Sequence, residues 1–256
     1  MSRRSSFRTE VELCRKFLGA LDRSAWTPYA ETAGWDILLV RNEDGFQIGI
    51  QAKLKMGTEV VNQTLEEGWI YRATNAGPDC RAVMVPWFEE RGFARIARYI
   101  GFTIIQVYDR DDRYRQTYTP ELPRRGPGEK YAQYEQWFEW FPAKRCKLPE
   151  YVPDVDAGAS SPIQLTHWKI GALKIDIVIE LRGYVTRADF KHIGIDPHRW
   201  IHANGWLVGR GDGTFVPSQY YPGFKHQHPK VRAEIAATAD KWMLKEPTIK
   251  QFNMEL

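Results

Sequence analysis

Three polar side chains of different chemistry, an aspartate, a glutamine and a lysine, follow one another closely in the early sequence. Asp36, Gln51 and Lys53 are spaced as Asp-x14-Gln-x-Lys. Carboxylate and amide oxygens are hard ligands of the kind that Mg²⁺ and Mn²⁺ prefer. A lysine beside such an ion can orient or deprotonate an attacking water, or stabilise the charge that develops on a phosphate. If the fold brings them together, these residue types indicate hydrolysis of a phosphodiester bond.

The surrounding residues predict a β-hairpin with one apolar face and one polar face. Two alternating runs, Trp35–Val40 and Phe46–Lys55, flank the step Asp44-Gly45, which is a strong short-range hairpin signal. An acid, an amide and a lysine on one side of such a hairpin indicate a functional site. The simpler alternative is an ordinary polar face in contact with solvent. The residues expected on the apolar face are Trp35, Ile37, Leu39, Ile48, Ile50, Ala52 and Leu54.

The sequence leaves the register of this hairpin open between two loops. A two-residue turn at Asp44-Gly45 places Asp36 opposite Lys53, whereas the longer loop Asn42–Gly45 places Asp36 near Gln51. Both registers have the same parity, and a strand turns successive side chains to opposite faces. We therefore expect the three polar residues to share a face in either case.

This pattern resembles the PD-(D/E)XK nuclease superfamily, which has the restriction-endonuclease-like fold. The last acid of that motif is replaced here by Gln51, as in the Gln-x-Lys variant of methylation-dependent restriction nucleases of the Mrr type. The resemblance covers roughly the first 110 residues and rests on a short motif together with the order of predicted elements. It implies a metal-dependent DNA endonuclease, and a homodimer by analogy with members that cut both strands.

The resemblance also implies a ligand set for Mg²⁺ or Mn²⁺. Asp36, the amide oxygen of Gln51 and the backbone carbonyl of Ala52 would face the ion, and Lys53 would act on the water or the phosphate. Because a neutral amide binds more weakly than a carboxylate, the site needs a further negative charge. Glu10, on the first predicted helix, is the preferred donor of that charge.

Glu10 is preferred because it lies beside the apolar stripe of its helix and can face the sheet. Glu12 faces away from that stripe and is the second choice, and Glu31, before the hairpin, is the third. An ordinary acid at a helix start, stabilised by the helix dipole, is an equally good interpretation of Glu10. Gln63 is expected to contact the phosphate backbone of DNA, with a solvated helix face as the alternative.

Hydrophobic periodicity predicts the order helix, strand, strand, helix, strand, helix, strand in the first half of the chain. A strand–helix–strand repeat implies parallel neighbours, and the hairpin adds antiparallel ones. The expected fold class is therefore α/β, with a mixed β-sheet flanked by helices. The predicted helices are 7–21, 58–74 and 89–100, the strands after the hairpin are 81–86 and 102–108, and 27–34 is a predicted loop.

Composition shifts divide the chain into four expected regions. These are a nuclease-like domain at 1–120, an aromatic and proline-rich linker at 121–162, a smaller domain at 163–222 and a helical tail at 223–256. Within the linker, 130–141 is predicted to form a short aromatic helix. The smaller domain is expected to contain helices 165–181, 187–192 and 198–203 followed by a hairpin at 206–216, and the tail a single helix at 231–245.

Three helices followed by a short hairpin resemble a winged helix-turn-helix domain. His198, Arg199 and His202 lie on its expected recognition helix, which could enter a major groove, and Arg210 lies at the tip of the wing. Many winged helices bind proteins instead, so a protein-interaction module is one alternative for this chain. A nuclease fold that binds DNA without cutting it is another.

Charge and composition are consistent with a DNA partner without requiring one. The 256 residues carry a net charge of +4, with 43% hydrophobic residues and three well-separated cysteines. That cysteine count gives no disulfide framework and favours a reducing cytoplasm. No segment approaches the length of a membrane span, so we expect no membrane association.

Overall fold

The computed structural model of the chain describes residues 7–57, 76–87, 93–109, 116–123, 136–159, 164–202 and 205–245. The chain divides into two compact units, Met1–Gln164 and Leu165–Leu256. Among the described residues, no helix combines the length and apolar character needed to cross a membrane.

A six-stranded mixed sheet in the order β1-β2-β3-β5-β6-β7 is the framework of the first unit. Strands β3, β5 and β6 run parallel, and the remaining neighbours pair antiparallel. This sheet and its helices confirm the expected α/β class. The described elements are α1 (Glu10–Gly19), β1 (Trp26–Thr32), β2 (Trp35–Arg41), β3 (Gln47–Ala52), β4 (Ala76–Gly77), β5 (Cys80–Pro86), α2 (Phe93–Tyr99), β6 (Thr103–Val107), β7 (Tyr118–Thr119) and β8 (Lys144–Arg145).

Strand β1 occupies the region that the sequence predicted to be a loop. It pairs antiparallel with β2, with Ala30 opposite Ile37, and its residues alternate strictly between buried and half-buried positions. The prediction was wrong because Pro28, normally a strand breaker, is tolerated on an edge strand. The predicted helix 58–74, and with it Gln63, lies outside the described residues.

The hairpin uses the longer of its two candidate loops. Ile37 lies opposite Ile50, which selects the loop Asn42–Gly45 and excludes the two-residue turn. Within the loop, Asp44 forms an ion pair with Arg41 at 2.8 Å. The same carboxylate accepts the main-chain N–H two residues later, at 3.1 Å, and this side-chain turn fixes the loop length.

Helix α1 packs on five of the seven residues of the predicted apolar face of the hairpin; Trp35 and Leu54, which is half-buried beyond the end of β3, lie outside that cluster. Trp35 packs on the other face, against Leu38 and Cys146. Its indole covers Gly49, where an added Cβ would lie only 2.4 Å from the ring, so the missing side chain makes room for it. The main cluster on the α1 side contains Leu13, Cys14, Phe17, Ile37, Leu39, Ile48, Ile50 and Ala52.

The C-terminal part of the expected linker belongs to the first unit. Strand β8 pairs with β4, Cys146 is buried beside the hairpin, and Ala157 is buried in the main cluster. The aromatic helix expected at 130–141 is absent from its described part, residues 136–141. There Trp137 is buried and donates its indole N–H to the carbonyl of Glu121 at 2.9 Å.

The second unit combines helices with a three-stranded sheet in the order β10-β11-β9. Aromatic rings form much of its core, including the fully buried Trp200 and Phe190, whose ring centroids lie 5.4 Å apart. Its elements are α3 (His167–Arg182), β9 (Val185–Thr186), α4 (Arg187–Ile193), β10 (Leu207–Gly209), β11 (Thr214–Pro217), α5 (Pro229–Ala237) and α6 (Ala239–Trp242).

Two helices predicted in the second unit differ from the structure. In place of the helix expected at 198–203, the described residues form one turn closed by the N–H of Ile201 on the carbonyl of Pro197, at 2.9 Å. The turn does not continue because Trp200 is buried and its carbonyl accepts from Leu207 at the start of β10. The single helix expected at 231–245 is two helices, α5 and α6, which meet at Thr238.

Candidate active site

Asp36, near the start of β2, is a half-buried carboxylate fixed by the main chain of β3. Its Oδ2 accepts the N–H of Ala52 at 2.7 Å. Burial raises the pKa of Asp36, and the hydrogen bond from Ala52 and the positive charge of Lys53 partly offset that rise. The structure therefore brings Asp36, Ala52 and Lys53 together at one end of the hairpin.

Gln51, the residue before Ala52 on β3, is held by an unequal set of hydrogen bonds. Its side chain is 2% exposed, and its Nε2 donates to the carbonyl of Gly34 at 2.7 Å. Its Oε1 is buried and has no hydrogen-bond partner among the described residues. A buried acceptor left unsatisfied costs about 1–3 kcal/mol, so an amide held in this way requires an explanation.

Lys53 and Glu10 form an ion pair across the end of the sheet. Their Nζ and Oε2 atoms lie 3.2 Å apart, and both side chains are partly buried. The main-chain N–H of Lys53 donates to Met84 at 2.9 Å, which continues the β3–β5 ladder and fixes the position of the lysine. Glu10 therefore faces the sheet, while Glu12 is exposed and accepts from the main-chain N–H of Arg8 at the start of the helix.

Glu31 adds a third carboxylate to the region from β1. Its φ of 48° is unusual for a residue with a side chain. Its Oε1 accepts the N–H of Gly158 at 2.7 Å. Burial raises the pKa of Glu31 to about 7, and the negative charge of Asp36 adds to that rise.

Residues Val155–Ala159, which we call the strap, hold this acidic region against α1. Ala157 is buried in the main core, and Asp156 forms an exposed ion pair with Arg15 at 2.7 Å. Gly158 lies so close to α1 that an added Cβ would be 3.1 Å from the main-chain carbon of Glu10. The strap therefore contacts two of the acidic residues directly, through Glu31 and Glu10.

Replacing Gly158 by alanine is expected to lower the free energy of unfolding of the first unit by about 2 kcal/mol. Its φ of +75° disfavours any side chain, and the new methyl group would also meet Glu10 and, at 3.2 Å, the Sγ of Cys14. Urea unfolding provides the measurement. Gly45→Ala is the matched control, because its φ is +70° but its nearest neighbour is the flexible end of an arginine. Equal losses in both variants would contradict a tightly packed strap.

Replacing Glu31 by glutamine is expected to stabilise the protein above about pH 7 and to have little effect near pH 4. The pKa of Glu31 is raised from 4.5 to about 7, so its carboxylate destabilises the fold progressively as the pH rises through that window. Solvent screening reduces the expected gain to about 1 kcal/mol. Urea unfolding at the two pH values tests this, with exposed Glu43→Gln as the control that should show no such difference.

The oxygen atoms available here are of the kind that a hard divalent cation binds, but only two of them belong to carboxylates. No described group of three or more His, Cys, Asp or Glu side chains is arranged to hold a metal. The oxygen set available here is mixed: the carboxylates of Asp36 and Glu10, the amide oxygen of Gln51 and a main-chain carbonyl at Ala52. The unpartnered Oε1 of Gln51 is the observation that favours a cation at this position.

The structure places the four residues of the second unit that are expected to contact DNA on its surface. His198 and His202 are exposed on the single turn, with ring centroids 6.3 Å apart, and Arg199 between them is exposed as well. Arg210 is exposed in the β10–β11 hairpin, where its N–H donates to Thr214 at 3.0 Å.

Sequence reasoning missed the role of the strap and ranked Glu31 only third among the acids. The Glu31–Gly158 bond joins residues 127 positions apart, and neither local periodicity nor a motif signals such a contact.

No protein-family model matches the chain, and comparison with curated proteins and with solved structures finds no significant match.

Proposed function

We propose that this protein is a metal-dependent DNA endonuclease with a site of the PD-(D/E)XK type. The buried, unpartnered amide oxygen of Gln51 carries the proposal. Gln51 lies near the end of β3, and the next residue of that strand, Ala52, holds the carboxylate of Asp36 through its N–H. Lys53 follows directly, so this end of the strand supplies an acceptor oxygen and an amine and holds an acid, the three kinds of group that phosphodiester hydrolysis needs.

Asp36, Gln51, the carbonyl of Ala52 and Glu10 would hold Mg²⁺ or Mn²⁺. Such an ion neutralises phosphate charge and makes a bound water more acidic. Within the protein, the Ala52 N–H and Lys53 favour the ionised form of Asp36 and partly oppose the burial that raises its pKa. Lys53 would donate from Nζ to the phosphate or to the attacking water, and Glu10 keeps that ammonium positioned through their ion pair.

The second unit would supply contacts that position DNA. His198, Arg199, His202 and Arg210 are exposed, and arginine recognises phosphate oxygens and guanine edges. The order helix, strand, helix, turn, strand, strand supports a winged helix whose third helix is reduced to the turn containing Trp200. We infer that phosphate contacts dominate, because one turn is too short to lie along a major groove.

A catalytically silent DNA-binding protein is the second candidate. The neutral Gln51 favours it, because a site with one carboxylate fewer holds a divalent cation more weakly. Both candidates predict DNA binding that weakens with salt, and only the endonuclease predicts cutting that needs a metal. A protein-interaction module predicts neither.

Incubation of the full-length protein with supercoiled plasmid, single-stranded DNA and RNA tests the proposal. Each substrate is supplied with Mg²⁺, with Mn²⁺ or with EDTA. Cleavage of DNA in the presence of either metal and none in EDTA is the expected result. DNA binding without cleavage under every condition would replace the endonuclease by the silent binding protein.

A further inference from the structure

A cavity of about 370 Å³ opens at the far side of the first unit's sheet. It lies where α2 ends and β6 begins, and β6 is separated from β3 by β5. None of its lining residues belongs to the candidate active site. The lining side chains with aromatic or polar groups include Arg98, Tyr99, Thr103, Gln106, Gln136 and Phe138.

Packed aromatic rings form one wall of this cavity. The ring of Phe102 stacks on Trp140 at 5.7 Å, and Trp140 meets Phe138 edge-to-face at 5.8 Å. Trp140 is fixed by its indole N–H, which donates to the carbonyl of Gly101 at 3.2 Å. Phe138 lies over Gly101, where an added Cβ would be 2.8 Å from its ring. One side of the Phe138 ring therefore packs on Gly101 and Trp140, while the residue remains 57% exposed.

A second aromatic ring and several polar groups complete the cavity. Tyr99, at the end of α2, is 93% exposed, although hydrophobic burial disfavours leaving so large a ring in water. Thr103 donates from Oγ1 to the carbonyl of Gln136 at 2.6 Å, which fixes that segment on β6. The exposed amide of Gln136 supplies a donor and an acceptor to the cavity.

We propose that this cavity binds a nucleobase of a single-stranded nucleic acid. A base has a flat π face that can stack on the exposed rings of Phe138 or Tyr99, and polar edges that can bond the Gln136 amide. A cavity of 370 Å³ is in the size range of small-molecule sites and can hold one base with its sugar. The proposal does not depend on catalysis, because nothing in the cavity takes part in the candidate active site.

Fluorescence anisotropy of the full-length protein in EDTA tests this proposal without any requirement for cleavage. The probes are a labelled twelve-nucleotide oligothymidine and a labelled duplex of equal length, with thymidine monophosphate and adenosine monophosphate as competitors. Tyr99→Ala is the test variant, because so exposed a side chain can be removed without unfolding the protein. Phe141→Ala is its matched control, because Phe141 is 80% exposed and lies outside the cavity lining.

Tyr99→Ala is expected to weaken oligothymidine binding about tenfold, the usual cost of losing one base-stacking ring, while Phe141→Ala leaves it unchanged. Competition by the monophosphates at millimolar concentration would show that the cavity accepts a free nucleotide as well. Binding of the oligonucleotide without competition by the monophosphates would show that the cavity requires a single strand. Equal affinity of Tyr99→Ala, Phe141→Ala and wild type for the oligonucleotide, or no binding at all, would overturn the proposal whether or not the protein cuts DNA.

Discussion

Replacing Lys53 by alanine is expected to lower the rate of metal-dependent plasmid cleavage by about a thousandfold. The main chain of Lys53 is fixed in the β3–β5 ladder, and its ammonium lies 3.2 Å from Glu10. Its ammonium is therefore held in a defined position from which it would contact the phosphate or the water. Single-turnover cleavage of supercoiled plasmid measures the rate.

Lys55→Ala is the matched control for this variant. Lys55 is two residues further along the chain and is exposed, so its removal subtracts the same charge without reaching the site. We expect its cleavage rate to stay within a factor of about three of wild type, the range of a lost surface charge. Equal rates for the two lysine variants would show that Lys53 contributes only net charge to DNA binding.

Replacing Gln51 by glutamate is expected to make the stability of the first unit depend on divalent metal. At about pH 8 the new carboxylate would be buried and would face the carbonyl of Gly34 without a proton to donate, which costs about 3 kcal/mol. At about pH 5 the protonated form can donate as the amide does, so the loss should shrink. Added Mn²⁺ should restore most of the stability at the higher pH. Urea unfolding with Mn²⁺ or EDTA measures all three effects.

Gln47→Glu separates metal binding from burial of charge. Gln47 lies on the same strand and is 3% exposed, but both ends of its amide are paired, with Cys146 N–H at 2.8 Å and Cys146 carbonyl at 3.0 Å. We expect this variant to lose stability at about pH 8 without recovery in Mn²⁺, because no acceptor oxygen there is unpaired. Recovery of both variants, or of neither, would argue against a cation at Gln51.

The two alternating strands of the hairpin were predictable, and their register was not; that Gln51 shares a face with Asp36 and Lys53 stays a prediction. Alternation assigns Asp36, Gln51 and Lys53 to one side through a local period of two residues. The choice of loop depends on the Asp44–Arg41 ion pair and the side-chain turn at Asp44, which the dipeptide Asp-Gly does not specify.

Features that depend on contacts between residues far apart in the chain could not be predicted from the sequence. Ala157 and Cys146 are buried against residues far away along the chain, so the expected linker is part of the first unit. Similarly, the turn at Trp200 looked helical because Asp196 and Pro197 form a good helix start. Trp200 packs in the aromatic core instead, and the helix ends after one turn. Periodicity describes the local preference, and tertiary packing overrides it.

Parallel cleavage assays of wild type, Asp36→Asn and Asp240→Asn test the central proposal most directly. Asparagine preserves the shape of Asp36 and can still accept the Ala52 N–H, so the variant removes charge with little change in packing. Asp240 is an exposed residue of the second unit and controls for a lost carboxylate. We predict that wild type and Asp240→Asn cut plasmid in Mn²⁺ and that Asp36→Asn does not. Equal cutting by all three proteins, or none by any of them, would contradict a nuclease centred on Asp36.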